Sequence, residues 1–197
     1  MQVPDEDIIQ RVQRGERDEY LVLFDRYYSR VEGYARQRLH NAEAARDIVS
    51  ETFLRAYRNV DSFRIGGISY LGYLMLICRR LIFTEQTRQR LVPMHSLEER
   101  EEETLLLVDR AELPLDRLLA SERDAMLKEA IMQLPPDDRE IIHLAFERGL
   151  SRRDIGEILG KPTISAVTSH LYRAMQKLKA IVANQGYFTA TIEIGRK

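Results

Sequence analysis

The chain has 197 residues, 44% hydrophobic and 31% charged, and its 30 Lys/Arg against 31 Asp/Glu leave a formal net charge of −1. That composition fits a soluble globular protein of one medium or two small domains rather than a disordered chain. No apolar run approaches a membrane span, the opening MQVPDEDIIQRVQRGERDEY is not a signal peptide, and the single cysteine, Cys78, excludes an internal disulfide framework. A cytoplasmic protein without membrane insertion is expected. The four histidines (40, 95, 143 and 170) are scattered, so no metal site is expected, nor any other cofactor.

From about Asp5 to Arg90 the sequence is helix-periodic and nearly neutral. Leu21, Phe24, Tyr28, Val31, Ala35 and Leu39 recur at helical spacing, and so do Ile48, Val49, Phe53, Ala56, Tyr57 and Val60. Asn41 stands between these runs as a helix cap. RNVDSFRIGGISY then breaks the period, and Gly66–Gly67 marks a loop. A third apolar helix is expected from about Ser69 to Ile82, with Cys78 as a small core residue. Its end is basic: Arg79, Arg80, Arg88 and Arg90. Arginines there suit the negative end of a helix dipole, and in a DNA-binding protein they equally make a phosphate-contacting surface.

Residues 91–121 differ in character. Eight acids (Glu98, Glu99, Glu101, Glu102, Glu103, Asp109, Glu112, Asp116) face three arginines (Arg100, Arg110, Arg117), a local net of −5, with Pro93 and Pro114 inside. This reads as an acidic connector holding one short helix.

The most informative stretch runs from Leu134 to Ile181. Pro135, Pro136, Asp137 and Asp138 start a helix, and Gly149 ends it. Ser151 caps the next helix, whose Ile155, Ile158 and Leu159 face a core, and Gly160 supplies a turn. In the last helix Val167, Leu171, Ala174, Leu178 and Ile181 form one apolar stripe, leaving Thr168, Ser169, Tyr172, Arg173, Gln176 and Lys177 off it. This is a helix-turn-helix pattern, whose second helix enters the DNA major groove. Its charge separates it from an ordinary three-helix bundle: seven Lys/Arg between Arg148 and Lys179 against Asp154 and Glu157 give +5. The tail NQGYFTATIEIGRK favours an extended form but is too short to stand as a strand alone.

Two blocks then identify a family. LVLFDRYYSRVEGYARQRLHNAEAARDIVSETFLRAYRNVDSFR resembles region 2 of bacterial RNA polymerase sigma factors of the extracytoplasmic-function (ECF) type, group 4 of the sigma-70 family. MLKEAIMQLPPDDREIIHLAFERGLSRRDIGEILG, with the helix after it, resembles their region 4. The resemblance implies an all-α fold of two small helical domains joined by an acidic linker. The expected divisions are 5–90 (region 2), 91–121 (linker), 122–183 (region 4) and 184–197 (tail).

It also implies a function: a non-enzymatic factor that binds core polymerase and directs promoter-specific initiation. In the family, the helix matching AARDIVSETFLRAY docks on the β′ clamp helices, which assigns Asp47, Ser50 and Glu51 to polymerase. The segments matching DSFRIGGIS and YLGYLMLICRRLIFTEQTR hold the separated non-template strand of the −10 element, with Arg79, Arg80 and Arg88 as candidate contacts. Region 4 reads the −35 duplex and touches the β flap. Ser169, His170 and Arg173 match positions that approach the groove, with Arg152, Arg153, Thr168, Tyr172 and Lys177 around them. An anti-sigma factor is a candidate partner.

Several positions depart from the family pattern. Ala44 and Arg46 replace common acids, Tyr57 and Tyr73 stand where tryptophan is frequent, and Arg80 and Thr84 replace an asparagine and an aspartate. The turn GKPTISAV is one residue longer than usual. Ser50 and Thr52 are read as ordinary helix residues, although phosphate on either would add negative charge to the docking helix. Two other classes stay open: a helix-turn-helix regulator acting without polymerase, and a sigma-like adaptor using protein contacts alone.

Overall fold

The computed structural model describes residues 3–39, 41–91 and 115–184, in which all regular structure is helical. The acidic run 98–103 and the tail beyond 184 lie outside the described residues. Eight α-helices follow in order: α1 Asp5–Gln13, α2 Tyr20–Arg36, α3 Ala42–Arg58, α4 Tyr70–Leu91, α5 Leu115–Met132, α6 Pro136–Ile142, α7 Arg152–Leu159 and α8 Ile164–Asn184. None is long and apolar enough to cross a membrane.

Contacts divide the chain into two compact units. The first comprises Met1–Pro93 with Leu144–Thr168, the second Met94–His143 with Ser169–Lys197.

In the first unit, α2, α3 and α4 pack on one another and α1 packs on α2. Its core includes Ile8, Ile9, Val12, Leu23, Val31, Tyr34, Val49, Leu74, Met75 and Cys78. Burial pushes the Cys78 thiol up to about 12, which keeps it protonated and unreactive, as a core cysteine should be. The α2 stripe differs from the expected one. Val31, Ala35 and Leu39 are buried as expected, but Leu21 is 63% exposed, and Leu23 and Tyr34 are fully buried beside them, flanked by Tyr20 and Tyr27. Apolar residues occupy two sides of α2, so periodicity alone leaves its rotation open. Phe24 and Tyr28 instead meet Phe53 of α3, at ring centroid distances of 4.7 and 6.4 Å.

Caps explain where the helices begin. Asn41 accepts hydrogen bonds from the Glu43 and Ala44 amides at 2.8 and 3.1 Å, starting α3. Ser151 accepts from the Asp154 amide at 3.1 Å, starting α7. Gly160 ends α7 at φ 63, a left-handed conformation that costs a side-chain-bearing residue energy. Thr163 then accepts from the Ala166 amide at 3.1 Å, so α8 starts at Ile164 despite the longer turn.

Two elements are longer than the sequence suggests. Helix α4 continues past Ile82 to Leu91, which places Arg79, Arg80 and Arg88 in the helix body rather than leading out of it. Helix α5 begins at Leu115, inside the span read as connector.

Packing within the first unit reaches across the sequence. α7 lies against α4. The buried Asp154 carboxylate accepts from the Ser69 amide at 2.8 Å, the Ser69 hydroxyl at 2.9 Å and the Ser151 hydroxyl at 2.9 Å. It thereby supplies the N-terminus of α4 with an acceptor from a residue 85 positions away. The approach depends on Gly72, where an added Cβ would come within 2.9 Å of the Asp154 carboxyl carbon. Nearby, the buried Arg148 guanidinium donates to Gln37 at 3.1 Å, and Arg30 donates to the Arg148 carbonyl.

Candidate nucleic-acid and polymerase interfaces

The outer face of α3 is built by helical spacing alone. Glu43, Asp47, Ser50 and Leu54 are exposed and Glu51 half-buried, while Ile48, Val49, Phe53 and Ala56 face the core. Glu51 pairs with Arg55 at 2.6 Å, an exposed pair that fixes its side chain but contributes little stability. Leu54, 41% exposed, shares this face through its i+4 and i+7 relations to Ser50 and Asp47. The sequence reading assigned it neither to the core nor to this face, because a helical period alone does not tell an exposed leucine from a buried one. Thr52 is fully buried and donates to the Ile48 carbonyl at 2.7 Å, so a kinase cannot reach it in the folded chain. Thr52 is therefore removed as a modification site.

On α4 the buried side is Leu71, Leu74, Met75, Cys78 and Ile82. Arg80 is exposed and Arg79 half-buried. Arg88 pairs with Glu85 at 3.1 Å, and Gln89 donates to the same carboxylate at 3.0 Å. Those hydrogen bonds hold the Glu85 carboxyl below its usual range. Much of the Arg88 charge is thus spent within the helix. Before α4, Phe63 packs edge-on to Tyr70 at 5.4 Å and lies 5.2 Å from Tyr73. The loop from Phe63 to Ser69 is therefore bordered by the half-buried rings of Phe63 and Tyr73 and the buried ring of Tyr70.

At the start of α7, Arg152 and Arg153 are both exposed, and Arg153 also donates to the Gly66 carbonyl at 3.1 Å. Along α8, Thr168, Ser169, Tyr172, Arg173 and Lys177 are exposed, while Val167, Ala174 and Leu178 are buried. Tyr172 is 64% exposed and keeps its ring outside the apolar stripe.

His170 departs from the expected set. Its Nε2 lies 2.9 Å from Asp138 in α6, and its side chain is 12% exposed. Lys177 reaches the other oxygen of the same carboxylate at 2.5 Å. The ring is therefore turned into the second unit rather than toward a ligand. Asp138 was read as a helix-start acid, and its task is larger: it joins α6 to α8. Burial opposes its charge, but the hydrogen bonds and charges of Lys177 and His170 outweigh burial and hold the carboxyl below its usual range.

A depressed carboxyl pKa has a definite consequence for stability. The folded chain binds the Asp138 proton more weakly than the unfolded one, so the contribution is complete above the unfolded value of about 3.9 and is lost as pH falls through the folded value. Thermal melts followed by circular dichroism should show this. Asp138→Asn should lower Tm at neutral pH and flatten the decline of Tm between about pH 5 and pH 3. A variant that declines as steeply as wild type would place the acid sensitivity elsewhere.

Among the described residues no group of acids, histidines and cysteine is placed to hold a metal ion.

Comparison with known proteins matches two blocks of the chain to one family. Residues 23–91 match the family model for sigma-70 region 2, and residues 124–178 match that for sigma-70 region 4. The chain is 31% identical to the ECF RNA polymerase sigma factor BldN of Streptomyces coelicolor over 89% of its own length, spanning 65% of that relative. It is 28% identical to the RNA polymerase sigma-H factor of Pseudomonas aeruginosa, covering 90% of this chain and 93% of the relative. The sigma factor RpoE of Bartonella quintana, solved in complex with the anti-sigma factor NepR, shares the fold at a TM-score of 0.56 and 22% identity, over 84% of this chain and 97% of that one. The chain belongs to the ECF group of sigma-70 factors, the proteins with which bacterial RNA polymerase initiates transcription at specific promoters.

Proposed function

We propose that this chain binds core RNA polymerase in the cytoplasm and gives it promoter specificity, without performing chemistry itself. The outer face of α3, with Asp47, Ser50, Glu51 and Leu54, docks on the β′ clamp helices. The loop Phe63–Ser69 and α4 hold the opened strand of the −10 element. The exposed face of α8 reads the −35 duplex, with Arg152 and Arg153 of α7 on flanking phosphates and the same domain on the β flap. The division into region 2 (5–90), connector (91–121), region 4 (122–183) and tail (184–197) follows from this assignment. An anti-sigma protein is a candidate regulator, by analogy with the complex formed by the Bartonella factor.

One observation carries the reading. The helix-turn-helix opens α8 with a defined cap and leaves Thr168, Ser169, Tyr172 and Arg173 exposed along one helix, which is the requirement for groove recognition. His170 is omitted from the contact set because Asp138 holds it.

Run-off transcription with core polymerase on a promoter library, with and without this protein, tests the reading. Promoter-specific transcripts should appear only when it is present. Duplex binding without any affinity for core polymerase would instead make it a conventional regulator. On a selected promoter, Arg173→Ala should weaken binding by about 1–3 kcal/mol if the guanidinium reads a base, with relaxed specificity at one position. A loss uniform over all sequences would make it a phosphate contact, and no loss would remove it from the site.

A further inference from the structure

His170, Arg173 and Lys177 stand at i, i+3 and i+7 on α8 and share one side of that helix. Against two of them sits a single carboxylate, Asp138 of α6, whose side chain is only 7% exposed. One of its oxygens lies 2.9 Å from His170 Nε2 and the other 2.5 Å from Lys177 Nζ. The His170 ring is closed on both edges, because Nδ1 is buried as well and makes no hydrogen bond among the described residues. Lys177 differs. Its side chain stays 53% exposed, so the carboxylate holds an ammonium that a phosphate could still approach. Arg173, between them, is exposed and forms no hydrogen bond or ion pair among the described residues.

Two cations of one stripe thus differ: Arg173 is open and Lys177 is compensated. A lysine beside a groove-bound helix strengthens DNA binding by displacing a counterion from a phosphate, and that contribution carries no sequence information. Lys177 lies about 20 Å along α8 from its first residue, Ile164. It therefore belongs to the end that meets the phosphate backbone rather than to the N-terminal turns that reach base edges. A carboxylate 2.5 Å away neutralises its ammonium and repels an incoming phosphate. We propose that Asp138 is a positioning residue for −35 binding: it withholds Lys177 from the phosphate backbone and His170 from the groove, and so lowers the sequence-independent part of the affinity. Discrimination is left to Thr168, Ser169, Tyr172 and Arg173. A factor delivered to promoters by polymerase gains from this, because region 4 by itself is then not retained on unrelated DNA. The inference rests on the assignment of α8 to the −35 duplex and adds to it a residue from outside that helix.

The test uses holoenzyme assembled from core polymerase and the full chain. The probes are two duplexes made from a promoter recovered by run-off selection, identical except that one carries the cognate −35 element and the other a scrambled one. Asp138→Asn should tighten binding to both, by about 4-fold at roughly 200 mM salt and about 15-fold at roughly 50 mM. Log affinity should fall more steeply with log salt by about 0.9, the share of one phosphate contact. The gain should be equal on the two probes, since a phosphate contact does not read sequence. Lys177→Gln alone should change neither affinity nor slope, whereas Lys177→Gln added to Asp138→Asn should return both to wild-type values. A merely structural loss of the α6–α8 contact would weaken binding, and removing a lysine would not reverse it.

A weaker affinity or a shallower salt slope for Lys177→Gln alone would overturn the proposal, because the lysine would then reach a phosphate with Asp138 in place. That variant keeps Asp138 and decides the matter even where Asp138→Asn does not fold. Binding by Asp138→Asn no tighter than wild type would also overturn it, as would a gain confined to the cognate element, which indicates a base contact. If wild-type holoenzyme binds the cognate and scrambled probes equally, the assignment of α8 to the −35 duplex fails first and takes this inference with it.

Discussion

Reversing charge at both Asp47 and Glu51 should lower affinity for core polymerase at least about 100-fold, equivalent to roughly 3 kcal/mol. Both residues belong to the outer face of α3, one turn apart, and the proposed partner surface is basic. Replacement by lysine removes two attractions and introduces two like-charge contacts, so the effect should exceed that of the neutral pair Asp47→Asn and Glu51→Gln. The difference should shrink as ionic strength rises. Folding should be unaffected, because the ion pair lost among the described residues is the exposed Glu51–Arg55 contact. Leu54→Ala should weaken binding with no salt dependence, since it removes apolar contact rather than charge. Ser50→Asp should leave the affinity unchanged if Asp47 and Glu51 suffice. Equal affinity of the double-lysine variant and wild type, measured by competition for core enzyme, would move the docking surface off α3.

Asp154→Ala should destabilise the first unit by about 2–3 kcal/mol, the cost of removing a buried ionised acceptor that serves several donors. The carboxylate receives the Ser69 amide, the Ser69 hydroxyl and the Ser151 hydroxyl, and thus supports the beginnings of two helices at once. Asp154→Asn keeps one acceptor oxygen and should fall between alanine and wild type. Gly72→Ala attacks the same joint from the other side, because its methyl would stand 2.8 Å from Ile68 Cγ1 and 2.9 Å from the Asp154 carboxyl carbon. Hydrogen exchange is the direct measurement: amides in the first turn of α4 should lose protection in both variants, well before those of α3. Unchanged protection in Asp154→Ala would show that solvent replaces the carboxylate without penalty.

The positions that matter here differ in how far they could be read from the chain. Asn41, Ser151 and Gly160 act on backbone groups within a few residues, so a short window contains both partners of each interaction. The same holds for the apolar stripe of α8 and for the exposure of Asp47, Ser50 and Arg173, which helical periodicity sets. His170 lay beyond that reach. Its position off the main stripe is a local fact, but its partner Asp138 is 32 residues away, and only packing brings α6 to α8. Thr52, read as an ordinary helix residue, is one, but its complete burial comes from packing that the helical period alone does not show.

Sequence alone therefore determined most of the helices, the caps at Asn41, Ser151 and Gly160 and the exposed face of α8, because each follows from interactions spanning one or two turns, while the two sigma-like blocks were read by resemblance. Tertiary structure decided which side of α2 is core and that Leu21 is not. It also assigned the Asp138 carboxylate to His170 and Lys177, and the Asp154 carboxylate to the start of α4. These outcomes rest on partners 32 to 85 residues apart, and a helical period fixes a residue's direction from its own axis without naming the element it will meet.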